Sequence, residues 1–368
     1  MARHAYMIMA HTNFSQLKLL LILLDHPDND IYVHIDMYVR RAPLNELAAC
    51  CRSSPVLFTR EAYIRWGKYS MFEAELALLR KATETEHAYY HLVSGMDMPL
   101  KTQDEIHDFY AKNGNIEFVA AREYNEPSAA LDRLIKKAAS MGMRGFKVYK
   151  GSQWFSITHE FAVFLLKEEP TIKALFENYY TPDEKCVQTL LMNSRFRRRW
   201  SGAQERQFPS WNMRLIEWPS TRNWESPHPK VFTMANLDQL TSSACHFARK
   251  FDMSVDTDII TILARRLVGQ SAEPSKRPEP NMPPTLTHDT PPTSKPSAPP
   301  RPAHSPSAIN FEQAVSAIKH KRQWRKSRRP VPLPSARREV QVRRDPATVR
   351  PPASLEARQG QAPRDAAS

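Results

Sequence analysis

The feature that most restricts the possible folds is an alternation of short apolar strands with capped helices over the first 120 residues. Strands are predicted at residues 4–10, 31–36, 55–59, 89–92 and 116–120. Capping residues followed three positions later by Gln or Glu predict helix starts at Asn13, Ser70 and Thr102. Strand, helix and strand within about 35 residues form a βαβ unit, which requires parallel strands. We therefore predict an α/β fold with a mostly parallel, Rossmann-like sheet and helices on both faces.

The pattern is weaker beyond residue 120. Residues 122–150 are basic and predict a helix followed by a mobile loop, and residues 153–158 alternate like a strand. Further helices are predicted at 159–167, closed by Pro170, and at 182–193 and 256–267. Ligands of such folds bind at the carboxyl ends of parallel strands. His34, Asp36 and residues 94–97 follow two predicted strands, so we expect the site there.

Composition divides the chain near residue 270. Residues 271–368 hold 19 of the 30 prolines, with 18 Lys and Arg against 8 Asp and Glu, whereas residues 1–270 hold 34 against 31. The net charge of +13 is therefore mostly a property of the second part and does not indicate nucleic-acid binding by the first. A Pro-rich, basic segment cannot bury a core. We predict a catalytic domain over 1–270 and a disordered tail over 271–368, with a candidate short helix near 311–329.

Several classes of protein are excluded by what the sequence lacks. The nine glycines match neither the dinucleotide-binding nor the P-loop pattern. The four cysteines form no C-x-x-C pair, so a zinc site is not expected and free thiols fit a reducing compartment. The most apolar run, residues 17–24, is shorter than the roughly 20 residues that span a bilayer, so it predicts a buried helix.

Seven ordered segments resemble the core-2/I-branching family of glycosyltransferases, which includes β-1,6-N-acetylglucosaminyltransferases and peptide O-xylosyltransferases. The segments cover most of residues 4–267 and leave out the tail. The resemblance implies a GT-A-like single catalytic domain, a UDP-sugar donor, inversion at the anomeric carbon and no metal requirement. The matching segments are HAYMIMAH (4–11), IYVHID (31–36), RWGKYSMFEAELALL (65–79), YYHLVSGMDMPLKT (89–102), GSQWFSIT (151–158), YTPDEKCVQTLLMNS (180–194) and HFARKFD (246–252).

An inverting transferase needs a general base that removes the acceptor proton, and the resemblance assigns this role to Glu184. The same residues also fit an ordinary helix start, with Thr181 as N-cap, Pro182 at the first helical position and Glu184 completing a capping box. The sequence leaves both interpretations open. A helix N-terminus would keep the carboxylate ionised in either case.

The resemblance places Arg249 and Lys250 on the diphosphate of UDP, where GT-A enzymes usually hold a metal through a D-x-D motif. Arg offers a bidentate fork to phosphate and Lys a compact charge; an ordinary solvated pair is the alternative. One D-x-D occurs, Asp256 to Asp258, at the predicted start of the last helix. Asp is expected there as a cap, so we predict no metal and no other cofactor.

Two residues are candidates for the nucleotide end of the donor. Asp36 follows a predicted strand, and the resemblance implies a contact with uridine; a turn cap is the alternative. Relatives often carry basic residues after this Asp, whereas Met37 and Tyr38 follow it here. Trp66 resembles the family tryptophan near the uridine and donor, and its alternative is a half-buried packing aromatic.

Three residues are candidates for sugar or acceptor contacts. Trp154 is predicted as an aromatic platform for a pyranose, with a core aromatic as the alternative. Gln153 stands where xylosyltransferases tend to have Asp, which weighs against UDP-xylose. Asp97 either binds sugar hydroxyls or caps the turn of residues 94–97. His34 and His91 lie on apolar strands without metal-ligand spacing and are predicted to be core histidines.

We predict an inverting, metal-independent transferase that moves a sugar, N-acetylglucosamine as first choice, from a UDP-sugar to a glycan hydroxyl. The alternatives are a peptide O-xylosyltransferase-like enzyme using UDP-xylose, and a catalytically degenerate binding protein acting through its basic tail. The expected partners are the UDP-sugar, a glycan acceptor and, through the tail, the surface of an anionic membrane, but not nucleic acid. Because no anchor precedes the first strand, we expect a cytoplasmic protein, peripheral to the membrane.

Overall fold

The computed structural model describes residues 2–204, 208–219 and 228–272, so the tail predicted beyond residue 272 and its candidate helix at 311–329 lie outside the described residues. Within them, all the strands predicted from the alternation are present. The strands are β1 His4–Ala10, β2 Asn29–Ile35, β3 Val56–Thr59, β4 Tyr89–Ser94, β5 Met98–Pro99, β6 Phe118–Val119, β7 Arg122–Glu123, β8 Tyr149–Lys150, β9 Phe155–Thr158, β10 Arg214–Ile216 and β11 Phe247–Arg249.

The central sheet has six strands in the order β3-β2-β1-β4-β9-β6. Strands β3, β2, β1 and β4 are mutually parallel, and β9 is antiparallel to both of its neighbours. Two smaller sheets flank it, β10-β11-β5 and β7-β8. The predicted α/β fold with a mostly parallel sheet is confirmed.

Helices occupy the intervals that the capping signals predicted. Thr102 caps α4 through a complete capping box with Glu105. The helices are α1 Phe14–Leu24, α2 Leu44–Ala48, α3 Ser70–Ala82, α4 Gln103–Lys112, α5 Ala129–Ser140, α6 His159–Lys167, α7 Glu169–Phe176, α8 Cys186–Met192, α9 Leu237–Ser242 and α10 Thr257–Ala272. No helix among the described residues is long and apolar enough to cross a bilayer.

The helices cover both faces of the sheet because successive strand residues point to opposite sides. On β1, Ala5, Met7 and Met9 pack in the cluster that contains α3 and α6. Their neighbours Tyr6, Ile8 and Ala10 pack in the cluster that contains α1 and α4. A strand buried on both faces reads as a continuous apolar run, which is what residues 4–10 show.

Helix α1 is apolar on nearly all sides because it is enclosed between two layers. Leu17, Leu20 and Leu24 pack towards the sheet. Leu19, Ile22 and Leu23 pack against α10 and β11. The predicted buried helix is confirmed, and its second apolar face meets a helix more than 230 residues later in the chain.

Two of the predicted helix caps are wrong. Asn13 forms no side-chain cap for α1, and its backbone is left-handed with φ 52°. Its predicted partner Gln16 is buried and bonds to the backbone of Phe251 and Met253.

Ser70 is the first residue of α3 and does not cap it; its hydroxyl accepts the Arg65 N–H. The helix predicted over 159–167 is confirmed as α6. Pro170, two positions after the C-cap Glu168, lies in the first turn of α7, where its missing N–H costs no helical bond.

Candidate active site

A cleft of about 1460 Å³ opens at the carboxyl ends of the parallel strands. Its floor is formed by the ends of β1, β2 and β4, where Ala10, Asp36 and Ser94 lie. The segments 150–154 and 178–185 also line it, together with Arg249 and Lys250 at the end of β11, and Arg249 stacks on Trp154 of the first segment. Among the residues predicted for the site, Asp97 is the one that does not line this cleft. The edge predicted from the strand order is therefore where the candidate residues meet.

Glu184 lies in a 3-10 turn, Pro182–Glu184, that precedes α8. The predicted capping box is absent, since Thr181 has φ 48° and its side chain caps no backbone N–H. The reason is Lys185, whose buried ammonium donates to the Thr181 hydroxyl over 2.7 Å and to the Thr181 and Tyr180 carbonyls. The Glu184 carboxylate is thus not used as a cap and faces the cleft, 3.3 Å from Lys150 Nζ.

A backbone contact fixes Glu184 in this position. The N–H of Gly151 donates to the Glu184 carbonyl over 2.9 Å. A Cβ at residue 151 would lie 1.6 Å from the Ala120 carbonyl oxygen, so only glycine permits this approach. Sequence analysis gave no role to Gly151, and the close approach depends on a segment thirty residues earlier.

Two further carboxyl groups lie beneath Glu184 and were not predicted. Asp183 is buried, and burial together with the neighbouring Glu184 charge raises its pKa to about 7. Glu75 on α3 is also buried; burial and the charge of Asp183 raise its pKa well above the usual range, opposed by a hydrogen bond from Gln153. The half-buried carboxylate of Glu184 is therefore next to a pair of carboxyl groups whose environment favours protonation.

Gln153 lies at the inner end of this group. Its amide donates to Glu75 Oε1 over 2.8 Å, and the residue is buried although it borders the cleft. The contact made by its side chain is thus with a core carboxyl. The predicted sugar contact would have to be made by the part of the Gln153 amide that does not bond to Glu75.

Arg249 is enclosed by two of the other predicted residues. Its guanidinium carbon lies 4.0 Å from the centroid of the Trp154 ring, and Nη1 lies 3.5 Å from Asp97 Oδ1. Its side chain is 12% exposed, and neither Nε nor Nη1 has a hydrogen-bond partner among the described residues. Burial lowers the pKa of this guanidinium and Asp97 opposes the shift. Both of these nitrogens are themselves buried, so a ligand in the cleft can reach only the small exposed part of a guanidinium that Trp154 and Asp97 hold in place.

For Trp154 and Asp97 the structure shows the alternative roles, a core aromatic and a turn cap. Trp154 is buried and its ring face is occupied by Arg249, so it is not a free platform for a sugar. Asp97 is 1% exposed and accepts hydrogen bonds from the backbone and hydroxyl of Ser94. Both residues act on the site through Arg249.

The two candidates for the nucleotide end lie on neighbouring loops. Asp36 Oδ1 accepts the backbone N–H groups of Tyr38 and Ile64, which ties the loops after β2 and β3 together. Trp66 is 55% exposed and contacts the edge of the Tyr180 ring. Gly67, with φ +71°, lies against the same ring and accepts the Thr181 N–H. The loop of Trp66 is therefore attached to the turn that carries Glu184.

The D-x-D segment is placed as the helix-cap interpretation predicted. Asp256 Oδ1 accepts the N–H groups of Asp258 and Ile259 at the start of α10. The described ranges contain no group of three or more His, Cys, Asp or Glu side chains arranged to hold a metal ion. Of the two strand histidines, His91 is satisfied by Ser156 and His4, as predicted, whereas Nδ1 of His34 has no partner among the described residues.

Comparison with known proteins gives a family match over most of the described chain. A family model described as "Core-2/I-Branching enzyme" matches residues 4–242. Xylosyltransferase 2 of Rattus norvegicus is 27% identical over 297 residues, covering 73% of this chain and 34% of that protein. N-acetyllactosaminide beta-1,6-N-acetylglucosaminyl-transferase of Mus musculus is 24% identical over 303 residues, covering 72% of each chain. The alignment thus spans about a third of the length of the xylosyltransferase.

Proposed function

The chain belongs to the Core-2/I-Branching enzyme family, and from this we propose that it is an inverting glycosyltransferase that moves a sugar from a UDP-sugar to a glycan hydroxyl. The observation that carries the proposal is that one cleft contains both kinds of group. A carboxylate, Glu184, and two cations, Arg249 and Lys250, line it. These are the groups that a displacement at an anomeric carbon needs at its two ends.

In the proposed reaction Glu184 takes the proton of the acceptor hydroxyl while its oxygen attacks the anomeric carbon. The new bond forms on the face opposite the bond to the β-phosphate oxygen. That bond breaks, and UDP leaves with the electron pair, so the anomeric configuration inverts. A positioned base of this kind contributes roughly 10²–10⁴-fold to the rate.

Arg249 and Lys250 stabilise the negative charge that develops on the diphosphate, and the reaction proceeds without a metal ion. The support is that Trp154 and Asp97 hold the Arg249 guanidinium at the edge of the cleft. Fixed donors need no reorganisation as the charge appears. Asp36 and Trp66 border the nucleotide end of the same cleft.

N-acetylglucosamine is the proposed donor sugar, supported by the environment of Gln153. Its amide bonds to Glu75, a buried carboxyl whose pKa burial raises. Xylosyltransferases tend to have Asp at the position of residue 153. An Asp there would place a second carboxyl against Glu75, so one of the two groups would have to be protonated or exposed to solvent. UDP-xylose is the alternative, favoured by the names of the xylosyltransferases that the chain resembles.

A donor screen tests the proposal. UDP release is measured for the purified protein with UDP-N-acetylglucosamine, UDP-xylose, UDP-glucose and UDP-N-acetylgalactosamine, each with and without EDTA. We expect the fastest release from UDP-N-acetylglucosamine and no effect of EDTA. Turnover of UDP-xylose alone would select the alternative donor, strict Mn²⁺ dependence would refute the metal-free reaction, and no release from any donor would refute the transferase.

A further inference from the structure

Two cations face the cleft from one side of the β7-β8 ribbon. Arg122 and Lys150 are directly paired across the two antiparallel strands, so their side chains stand on the same face of the ribbon. Both line the cleft. The neighbouring pair, Glu123 and Tyr149, stands on the other face, where Glu123 bonds to Lys147 over 2.9 Å. The ribbon therefore presents positive charge alone to the cleft.

One of these cations is bound to the proposed base. Lys150 Nζ lies 3.3 Å from Glu184 Oε2, and the two side chains are 28% and 23% exposed. The ammonium thus lies against one oxygen of the carboxylate, and a ligand anion that binds Lys150 would leave that oxygen free for the acceptor hydroxyl.

The second cation, Arg122, has no counter-charge within the described ranges. Arg122 is exposed and forms no ion pair among the residues that the structure describes. Lys185 adds positive charge behind the turn of Glu184, where burial, followed by the charge of Lys150, lowers its pKa to about 8. Among the described residues, Arg122, Lys150 and Lys185 thus place more positive charge around Glu184 than its own carboxylate balances.

We propose that Arg122 and Lys150 form an anion subsite for the acceptor, and that the acceptor is a glycan carrying a carboxylate close to the hydroxyl that is glycosylated. The inference rests on the proposed function. A carboxylate held between Arg122 and Lys150 takes the place of Glu184 as the partner of Lys150. The acceptor thereby releases the base in the same step in which it binds.

Aromatic side chains at the same end of the cleft favour a glycan over an acidic peptide. Tyr124, two residues from Arg122, lines the cleft with its ring centroid 5.6 Å from Lys185 Nζ, and Tyr180 lines it with 59% of its surface exposed. Flat aromatic faces offer the apolar contact that a pyranose ring can fill. A ligand that offers a carboxylate to the cations and a pyranose ring to the tyrosines is a uronic acid residue.

The test compares two acceptors with the same hydroxyls that differ in the charge of the carboxyl group: a uronate oligosaccharide and its neutral methyl ester. We expect kcat/KM to be at least tenfold higher for the uronate, and this ratio to fall towards one in Arg122→Gln and in Lys150→Gln. Lys147→Gln is the matched control, because Lys147 loses the same charge beside β8 but pairs with Glu123 on the other face. Equal kcat/KM for both acceptors, or an unchanged ratio in both variants, would overturn the inference.

Two further measurements separate this inference from the proposed function. Donor hydrolysis without acceptor reports on the transferase chemistry alone, so its absence counts against the proposed function and not against the subsite. Calorimetric titration of the UDP-loaded protein with the two oligosaccharides then decides the subsite, with at least tenfold tighter binding of the uronate expected. No binding of the uronate, or a preference for a Ser-containing acidic peptide, would overturn it.

Discussion

The guanidinium of Arg249 is stacked on the ring of Trp154, with 4.0 Å between the guanidinium carbon and the ring centroid. Asp97 lies on the same guanidinium at 3.5 Å. Three residues that the sequence suggested for three separate contacts therefore form one unit. In this unit Trp154 and Asp97 are positioning residues, and Arg249 is the group that can reach a ligand.

Replacing Trp154 by Leu should weaken UDP binding while the protein stays folded, because the Arg249 guanidinium loses the ring on which it stacks. A desolvated cation–π contact is worth about 2 kcal/mol, so we expect UDP to bind more than tenfold less tightly. Isothermal titration with UDP measures this. Trp211→Leu removes a partly exposed tryptophan that does not line the cleft and should leave UDP affinity unchanged. Normal UDP affinity in Trp154→Leu would mean that Trp154 is only a core aromatic.

Replacing Glu184 by Gln should abolish most turnover without loosening the helix that follows. Because Glu184 caps nothing, the unfolding temperature should stay near that of the parent, while kcat falls by roughly 10²–10⁴-fold. UDP release and thermal unfolding are measured side by side. Glu177→Gln, an equal change at an exposed carboxylate on the end of α7, serves as control. A stable variant with undiminished kcat would remove Glu184 as the base.

Replacing Gly151 by Ala should damage the site although no functional side chain is lost. The new Cβ would collide with the Ala120 carbonyl, so the backbone must move and its hydrogen bond to Glu184 must lengthen or break. We expect a cost of about 1–3 kcal/mol in stability and a lower kcat. At Gly114 an added Cβ has 4.0 Å to its nearest neighbour, so Gly114→Ala should be nearly neutral. Equal effects of the two changes would contradict the steric argument.

Acid should destabilise the protein through its buried histidines. Burial lowers the pKa of His107 to about 4 and that of His4 to about 2, and the two rings stack at 3.9 Å. As the pH falls below 6.5, these two histidines bind protons in the unfolded chain but stay neutral in the folded protein. The free energy of unfolding then falls by about 1.4 kcal/mol per pH unit for each such group. Glu117 and Asp183, whose pKa values burial raises to about 7, act in the opposite direction in this window.

The contribution of His107 can be isolated by comparing slopes. His107→Gln keeps a polar partner for Asn29, which His107 contacts over 2.8 Å, but removes the titration. Between pH 6.5 and 4 its free energy of unfolding should depend less steeply on pH than that of the parent, by one proton, as measured by urea unfolding at several pH values. His11→Gln, at an exposed ring, is the control and should keep the parent slope. Parallel slopes for His107→Gln and the parent would rule out the linkage.

The strands and most helices could be predicted because their signals are local. Alternation, apolar runs and caps such as Thr102 with Glu105 involve residues within one turn or one strand. The start of α8 was predicted wrongly because the side chain of Lys185 takes the hydroxyl of Thr181 that a cap would use. No pattern over 181–184 distinguishes these outcomes.

The site was harder to predict because its contacts join distant segments. Asp97 meets Arg249 across 152 positions, through β5 pairing with β11. The ribbon that aligns Arg122 with Lys150 has the whole of α5 between its strands. Glu75 alone carried a usable signal, since it lies at helical spacing from Phe72 and Leu79 on the apolar face of α3, where a carboxyl is unexpected.

The enclosure of α1 has a consequence for the order in which the protein is made. Leu19, Ile22 and Leu23 leave the ribosome early, but α10, which covers them, is synthesised more than 200 residues later. At a synthesis rate of roughly 5–20 residues per second, this apolar surface stays uncovered for at least about ten seconds. During that interval the growing chain presents a leucine-rich face that folding chaperones bind and that other nascent chains can aggregate with. The last helix of the described body thus completes the burial of the first.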